Sequence, residues 1–530
     1  MNNTTQKCFI PIGFQKKYTA CLALLPNLER DRGKDCPLSE MLDRHPERCG
    51  QYPFLADLAR IEEAKYRLLI SLPPGPFSAT HRMINPALEL VSVKWQHLPE
   101  FLSDGRVIPE PGEGYILVLI RPGSKHVEIR KATAKDLLAL KLVAEEIDSR
   151  KAAAQGNVSV GTIDDFLYRA EQRGVIIAPP SRIRRSQDFL NCKKINDPQF
   201  LSSPSFTLQW HLTQACDLHC RHCYDRSDRR EMTLQQAIRV LDDLYDFCGE
   251  HHVVGQISFS GGNPMLYAHF DQLYREAADR GFLTAVLGNP MPPSRIEKML
   301  SIQNPEFYQV SLEGLKGHND YIRGSGHFDR TIKFLTLLGE LKIYRMVMLT
   351  LTHKNMDQVV ELAHQLNGLT ELFTFNRLAT VGHGAELSAS PTDEFSYFLD
   401  SYMDAAKKNP IMSLKDNLFN LLKWQRGDCL LDGGCTGYGC GAAFNFVALL
   451  PDGEVHACRK FPSIIGNIHQ NRLNDIYHGQ SARQYRAGSE ACKDCPIRPV
   501  CGACLAVGFG FGRDIFKEFD PYCFRDRADQ

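Results

Sequence analysis

Residues 206–224 read FTLQWHLTQACDLHCRHCY. The first seven form a short run of aromatic and β-branched residues, the composition of a strand. The thiols Cys216, Cys220 and Cys223 follow within eight residues on the loop beyond it. Five further runs, at 255–260, 283–288, 307–312, 345–351 and 372–378, recur between amphipathic stretches. That alternation predicts βα units around a parallel sheet, an α/β fold. Such sheets carry their active sites on loops at the carboxyl ends of the strands, where these three cysteines stand. Three thiolates cannot complete a four-iron cubane, and the fourth iron would be left open for a substrate or cosubstrate. A three-cysteine zinc site is the plain alternative.

Between the first two runs, residues 233–248 place Leu234, Ala237, Ile238, Leu241, Tyr245 and Cys248 at the three-four spacing of one helix face. Cys248 is thereby expected to be a core thiol. Upstream, YILVLI and VEIRKA flank a Pro-Gly turn and precede two helical patterns and a short apolar run. A hairpin followed by helices predicts a small winged-helix-like domain at 113–180. The Pro-rich, basic stretch APPSRIRRSQDF then reads as the start of a linker, placed at 181–204. Residues 1–112 are partly helical and carry no interpretable motif. Their Cys8, Cys21, Cys36 and Cys49 form no close pair, which argues against a zinc site there. The parallel sheet is assigned to 205–385, a helical connector to 386–428 and a cysteine-rich tail to 429–530.

Composition narrows the function. A length of 530 residues suggests about three to four domains. Lys plus Arg and Asp plus Glu each total 62, so the net charge is zero, which argues against nucleic acid or an anionic membrane as partner. The first residues, MNNTTQKCFIPIGFQKKY, lack the apolar core of a signal peptide, and no run of apolar residues reaches a membrane span. A soluble, cytoplasmic chain is the expectation. Of its 18 cysteines, nine lie between Cys429 and Cys523. In a reducing compartment such density points to metal ligation, not to disulfides.

At Cys216–Tyr224 the chain resembles the radical S-adenosylmethionine (radical SAM) superfamily, whose signature is C-x3-C-x-aromatic-C. His222 takes the position that in the family lies against the adenine. Gly261-Gly262-Asn263-Pro264, after the second strand, matches the family's GGEP, whose backbone meets the methionine amino group, with Asn263 in place of the usual Glu. Ser311-Leu-Glu313-Gly314 resembles SLDG, where Ser311 would hydrogen-bond the ribose. Arg323 matches the arginine that holds the methionine carboxylate, a pairing suited to its planar fork. The resemblance implies a partial (β/α)6, TIM-like barrel, a 4Fe–4S cluster on Cys216, Cys220 and Cys223, and S-adenosylmethionine held by His222, Gly261, Gly262, Asn263, Pro264, Ser311, Glu313 and Arg323.

The tail resembles the SPASM extension of radical SAM peptide maturases, which carries two auxiliary 4Fe–4S clusters. Twelve residues separate Cys440 from Gly453, Cys458 follows, and Cys492-x2-Cys495-x5-Cys501-x2-Cys504 precedes a final Cys523. The resemblance implies a first auxiliary cluster on Cys435, Cys440, Cys458 and Cys504, with Cys429 as the alternative to Cys435. The second would lie on Cys492, Cys495, Cys501 and Cys523. The two close pairs stand too near each other for an ordinary zinc ribbon.

Together these likenesses imply a cytoplasmic oxidoreductase-type enzyme with three 4Fe–4S clusters. It would cleave S-adenosylmethionine reductively and use the 5′-deoxyadenosyl radical to crosslink a ribosomally made precursor peptide, for instance through a thioether. An electron donor such as flavodoxin or ferredoxin would supply the electron. The 113–180 segment resembles the PqqD-like domain that binds leader peptides by strand addition. The chain is also similar to selenobiotic-type peptide maturases. A sulfatase-maturase-like formylglycine-forming oxidase would place Asp directly after the cysteine of G-x4-C, where this chain has Arg459. An Fe–S electron carrier, the non-enzymatic alternative, would need no S-adenosylmethionine pocket.

Overall fold

A continuous apolar run such as YILVLI fits a strand covered on both faces. The computed structural model, which describes residues 12–29, 36–71, 79–185, 189, 198–428 and 430–525, bears that out. Cys8, Cys192 and Cys429 lie outside these residues. The chain divides into two compact units, Met1–Pro180 and Ser181–Gln530.

In the first unit, β1 (Met83–Ile84) precedes an antiparallel sheet of β2 (Leu88–Gln96), β3 (Glu110–Ile120) and β4 (Val127–Lys131), with β3 central. Along β3 the side chains alternate between two cores. Ile116, Val118 and Ile120 meet the helix Leu55–Ser71, while Leu117 and Leu119 meet the helices Ala134–Ala144 and Val160–Gln172. β5 (Ile176–Ile177) returns to pair with β1. The expected boundary at 112/113 therefore falls inside β3, and the residues before it share β3's core. The strand β2 had no reading in the sequence. Cys21 and Cys49 are buried in that core, with Cys21 near the Leu55 carbonyl.

The second unit holds the six expected parallel strands: β6 (Ser205–Thr213), β7 (Val254–Gly261), β8 (Leu283–Leu287), β9 (Phe307–Ser311), β10 (Arg345–Leu351) and β11 (Leu372–Arg377). They pair in chain order, each with its successor. The sheet continues on the other side of β6 through β12 (Phe446–Leu449), parallel to it, and the antiparallel β13 (Glu454–His456) and β14 (Ile464–Asn467). The tail thus extends the βα sheet.

A capping box at Thr233 and Gln236 starts the helix Leu234–His251. Its buried face comprises Ala237, Val240, Leu241, Leu244, Phe247, Cys248 and His251. The expected stripe through Leu234, Ile238 and Tyr245 sits at the half-buried edge of that face, because both edges of an apolar stripe satisfy the three-four spacing. Cys248 is a core thiol that burial pushes up to about 12. The helices Phe395–Ala406 and Leu418–Gln425 then lead from β11 to the tail.

Candidate active site and cysteine clusters

The loop after β6 is fixed by its own backbone. Thr213 Oγ1 accepts from the Ala215 N–H (2.9 Å), and the turn after β7 clamps the same segment: Gly262 N–H donates to the Thr213 carbonyl and Asn263 N–H to the Ala215 carbonyl, each at 2.8 Å. A Cβ on Gly262 would stand 2.3 Å from the Ala215 oxygen. Only glycine permits this approach. Asn263 Nδ2 (3.1 Å) and Asn289 Nδ2 (2.7 Å) both donate to Asp217 Oδ1, and Asn289 Nδ2 also lies 3.5 Å from Cys216 Sγ. The cysteine loop is thereby tied to the ends of β7 and β8.

These loops enclose a cavity of about 340 Å³ lined by Cys216, Cys220, Cys223, His222, Gly261, Gly262, Ser311 and Arg323, among others. Eight of the eleven residues expected at the S-adenosylmethionine site thus share one cavity wall. Asn263, Pro264 and Glu313 do not line it: they are buried behind it. Glu313 Oε1 accepts from Arg323 Nε (2.9 Å) and Nη2 (2.5 Å) and lies 3.1 Å from His222 Nε2. Its Oε2 accepts from the Thr350 N–H (2.7 Å). Against the cost of burial, His222 and Arg323 hold this carboxyl well below the usual range. Burial likewise works against the Arg323 cation, but Glu313 and the Cys220 sulfur keep it raised. Glu313 acts as the counter-charge that orients two cavity residues, and it is their placement that touches the site.

The same cavity is lined by further residues. His211 Nε2 and the Tyr224 hydroxyl are 3.0 Å apart. Burial and the neighbouring Arg459 depress His211 to about 3, so it is neutral. Arg459 and Lys460, directly after Cys458, also line the cavity. Arg377, another lining residue, is buried and donates from Nη1 and Nη2 to the two oxygens of Asp520 (2.7 and 2.9 Å) and from Nε to Asp416 (2.8 Å). Asp520 in turn accepts from the Cys504 N–H (2.9 Å). The fork of Arg377 therefore links the last βα strand to the tail's cysteine loops. Among these, only Arg459 carried a signal in the sequence, through the residue it replaces.

The tail gathers its cysteines into two sets. Burial, and then the facing thiols of Cys504, Cys435 and Cys458, push Cys440 up to about 12. Cys504 is raised by burial to about 11, although Arg377 and Lys460 pull the other way. The backbone N–H groups of Cys435, Cys440 and Cys458 are held by Asn417 Oδ1 (2.7 Å), the Cys501 carbonyl (2.8 Å) and Ser463 Oγ (3.0 Å). Cys492, Cys495, Cys501 and Cys523 line a second, smaller cavity with Leu418, Ile497 and Phe519. Burial, Cys495 and Cys523 push Cys492 up to about 12.

Thiols buried side by side cannot all ionise without a cation to take up their charge. Among the described residues no three His, Cys, Asp or Glu side chains converge on a single-ion site. The first and last cysteine sets instead surround cavities, which suits a multi-iron cluster better than one tetrahedral ion. His222, which lines the larger cavity, has a buried Nδ1 without a partner, and a polar cosubstrate there would supply what it lacks.

The parallel βα sheet thus carries an open thiol triad beside an Arg–Glu–His cradle. The family model of the radical SAM superfamily matches residues 210–366, and that of SPASM, an iron-sulfur cluster-binding domain, matches 440–496. The chain is a radical SAM enzyme that carries a SPASM domain. It is 24% identical over 346 residues to the AdoMet-dependent heme synthase of Methanosarcina barkeri, covering 60% of this chain and 95% of that protein. It is 28% identical over 336 residues to mycofactocin maturase MftC of Mycolicibacterium smegmatis, covering 60% and 82%. Their names give different products. Among solved structures, Streptococcus suis SuiB bound to S-adenosylmethionine aligns over 79% of this chain and 96% of its own, at 19% identity and a TM-score of 0.49.

Proposed function

We propose that the chain is a radical SAM peptide maturase that modifies, and by preference crosslinks, a ribosomally made precursor. The observation that carries the reading is that the cysteine triad, the Arg323 cradle and the tail residues Arg459 and Lys460 line one cavity. A substrate lodged there meets the cosubstrate on one side and the first auxiliary set on the other. Cys216, Cys220 and Cys223 would hold the cluster that, with S-adenosylmethionine bound, supplies a 5′-deoxyadenosyl radical. Cys435, Cys440, Cys458 and Cys504 would hold the first auxiliary cluster, and Cys492, Cys495, Cys501 and Cys523 the second.

The chain's own side chains do the orienting. Arg323, its Nε and one terminal nitrogen fixed on Glu313, presents Nη1 toward Cys220 Sγ at 3.8 Å and offers a cation to the methionine carboxylate. Gly261 and Gly262 bring backbone against the site, and Ser311 faces it from the end of β9. Leu218, Leu287 and Met348 give the cavity apolar wall that excludes water from a reactive carbon.

Peptide substrates are supported by the first unit. Its three-stranded sheet, with the helices Ala134–Ala144, Ser149–Gly156 and Val160–Gln172 after the last strand, supports the likeness to a PqqD-like leader-binding domain. Among the described residues β4 is an edge strand, open to addition of an extended leader. Arg459 cannot accept a proton, which disfavours the formylglycine-forming alternative. No helix among the described residues is long and apolar enough to cross a membrane. A cytoplasmic site of action and a flavodoxin- or ferredoxin-like donor complete the proposal.

The test is incubation of the reconstituted, reduced protein with S-adenosylmethionine. Formation of 5′-deoxyadenosine is expected, and its absence would sink the enzyme reading. Removal of residues 1–180 should abolish precursor affinity; undiminished binding would take the leader domain out of the account.

A further inference from the structure

The cavity's charges are unequally satisfied. Arg323 is neutralised by Glu313, and Arg377 by Asp416 and Asp520. The Asp225 carboxylate is engaged by Ser227, by Gln214 Nε2 (3.1 Å) and by Arg229 (3.5 Å). Arg459 and Lys460, both half-buried, have no carboxylate partner among the described residues. Lys460 stands near the thiols of Cys458 and Cys504 and Lys415 near those of Cys435 and Cys458, whereas Arg459 lies near Cys458 as well but acts on it less than Lys460 does.

Arg459 is oriented differently. Its Nη1 donates to Ser260 Oγ (3.0 Å) at the end of β7, and its guanidinium stands 5.8 Å from the centre of the Tyr224 ring, next to Cys223. The fork is therefore anchored at one nitrogen on the cavity wall, on the side of the cysteine triad. A half-buried guanidinium is costly without a counter-charge, and its geometry fits a carboxylate in two-point contact. Neutral His211 and the Tyr224 hydroxyl beside it bring no anion.

We propose that Arg459 is a specificity residue that binds a carboxylate of the substrate, so that the substrate class is a peptide presenting an acidic side chain or its own C-terminal carboxylate. The inference rests on reading this cavity as the S-adenosylmethionine site. It places the substrate's anion between the triad and the first auxiliary cysteines, and the carbon that loses hydrogen next to it.

The experiment is calorimetric titration of the anaerobically reconstituted holoenzyme, loaded with S-adenosylmethionine, with three probes. These are N-acetylaspartate α-amide (a side-chain carboxylate), N-acetylalanine (a terminal carboxylate) and N-acetylalaninamide (neutral). At least one acid is expected to bind about tenfold or more tightly than the amide, and the better acid identifies the source of the anion. Arg459→Gln should erase the preference and Arg459→Lys retain part of it. S-adenosylmethionine affinity should change less than about twofold in either variant, a difference too small for loss of a charged contact. Equal binding of acid and amide, binding of neither, or a preference surviving in Arg459→Gln would overturn the proposal. So would a large loss of S-adenosylmethionine affinity, which would assign Arg459 to the cosubstrate. Failure of the wild-type protein to form 5′-deoxyadenosine would instead refute the enzymatic reading beneath it.

Discussion

Replacing Glu313 by Gln tests the cradle directly. The side chain is 2% exposed and Arg323 10%, so solvent screens little of their interaction. The substitution keeps the size but loses the charge, and one end of the new amide must present N–H to a donor, either Arg323 or the Thr350 N–H. Removing one partner of a buried, hydrogen-bonded ion pair costs about 3–5 kcal/mol, because the other charge stays buried and alone. That cost should appear as loss of stability in denaturant unfolding at pH 7. The pH dependence fixes the cause. The Glu313 carboxyl is depressed below its ordinary 4.5, so its stabilisation is complete above pH 4.5 and declines as pH falls toward the folded-state value. The gap between wild type and Glu313→Gln should therefore hold constant from pH 7 to 5 and then close by about 1.4 kcal/mol per pH unit below 4.5. The pair Glu313→Gln with Arg323→Met should be less damaging than the sum of the single changes. A gap under about 1 kcal/mol at pH 7, or one that is flat between pH 4.5 and 3.5, would refute the view of Glu313 as a buried counter-charge.

Arg377→Met leaves Asp416 and Asp520 buried without their shared cation and should cost about 3–5 kcal/mol in unfolding experiments, whereas a loss under about 1 kcal/mol would mean that the triad contributes little. Gly262→Ala drives a Cβ into the Ala215 carbonyl and must displace the cysteine loop; analysis of the reconstituted protein should find about four irons fewer per chain than wild type, and unchanged iron with unchanged 5′-deoxyadenosine formation would contradict the clamp. Replacing Cys501 by Ser should likewise remove about four irons while leaving the triad's absorption; loss of nothing, or a wild-type total near four instead of about twelve, would refute the auxiliary sets.

What the sequence made legible was local in the chain. The triad Cys216, Cys220 and Cys223 spans eight residues, and each βα strand is a short apolar run that announces itself by composition, so both could be read without knowing what packs where. What escaped depends on partners far along the chain. The run FVAL at β12 reads as a strand of no particular sheet until it lies beside β6, over 230 residues earlier. Glu313 was read as a site residue from its motif, yet its chemistry comes from Arg323, His222 and Thr350 around it, which turn a would-be ligand into a counter-charge behind the wall. Arg377 had no motif at all, since its partners Asp416 and Asp520 stand 39 and 143 residues away. The run YILVLI did carry a usable signal: apolar at every position, it required cover on both faces, and the helices after it could supply only one. The second cover had to come from residues before 113, and the helix Leu55–Ser71 provides it. Spacing thus reveals where candidate cofactor ligands lie, while the residues that set their charge and orientation emerge only once distant segments are folded together.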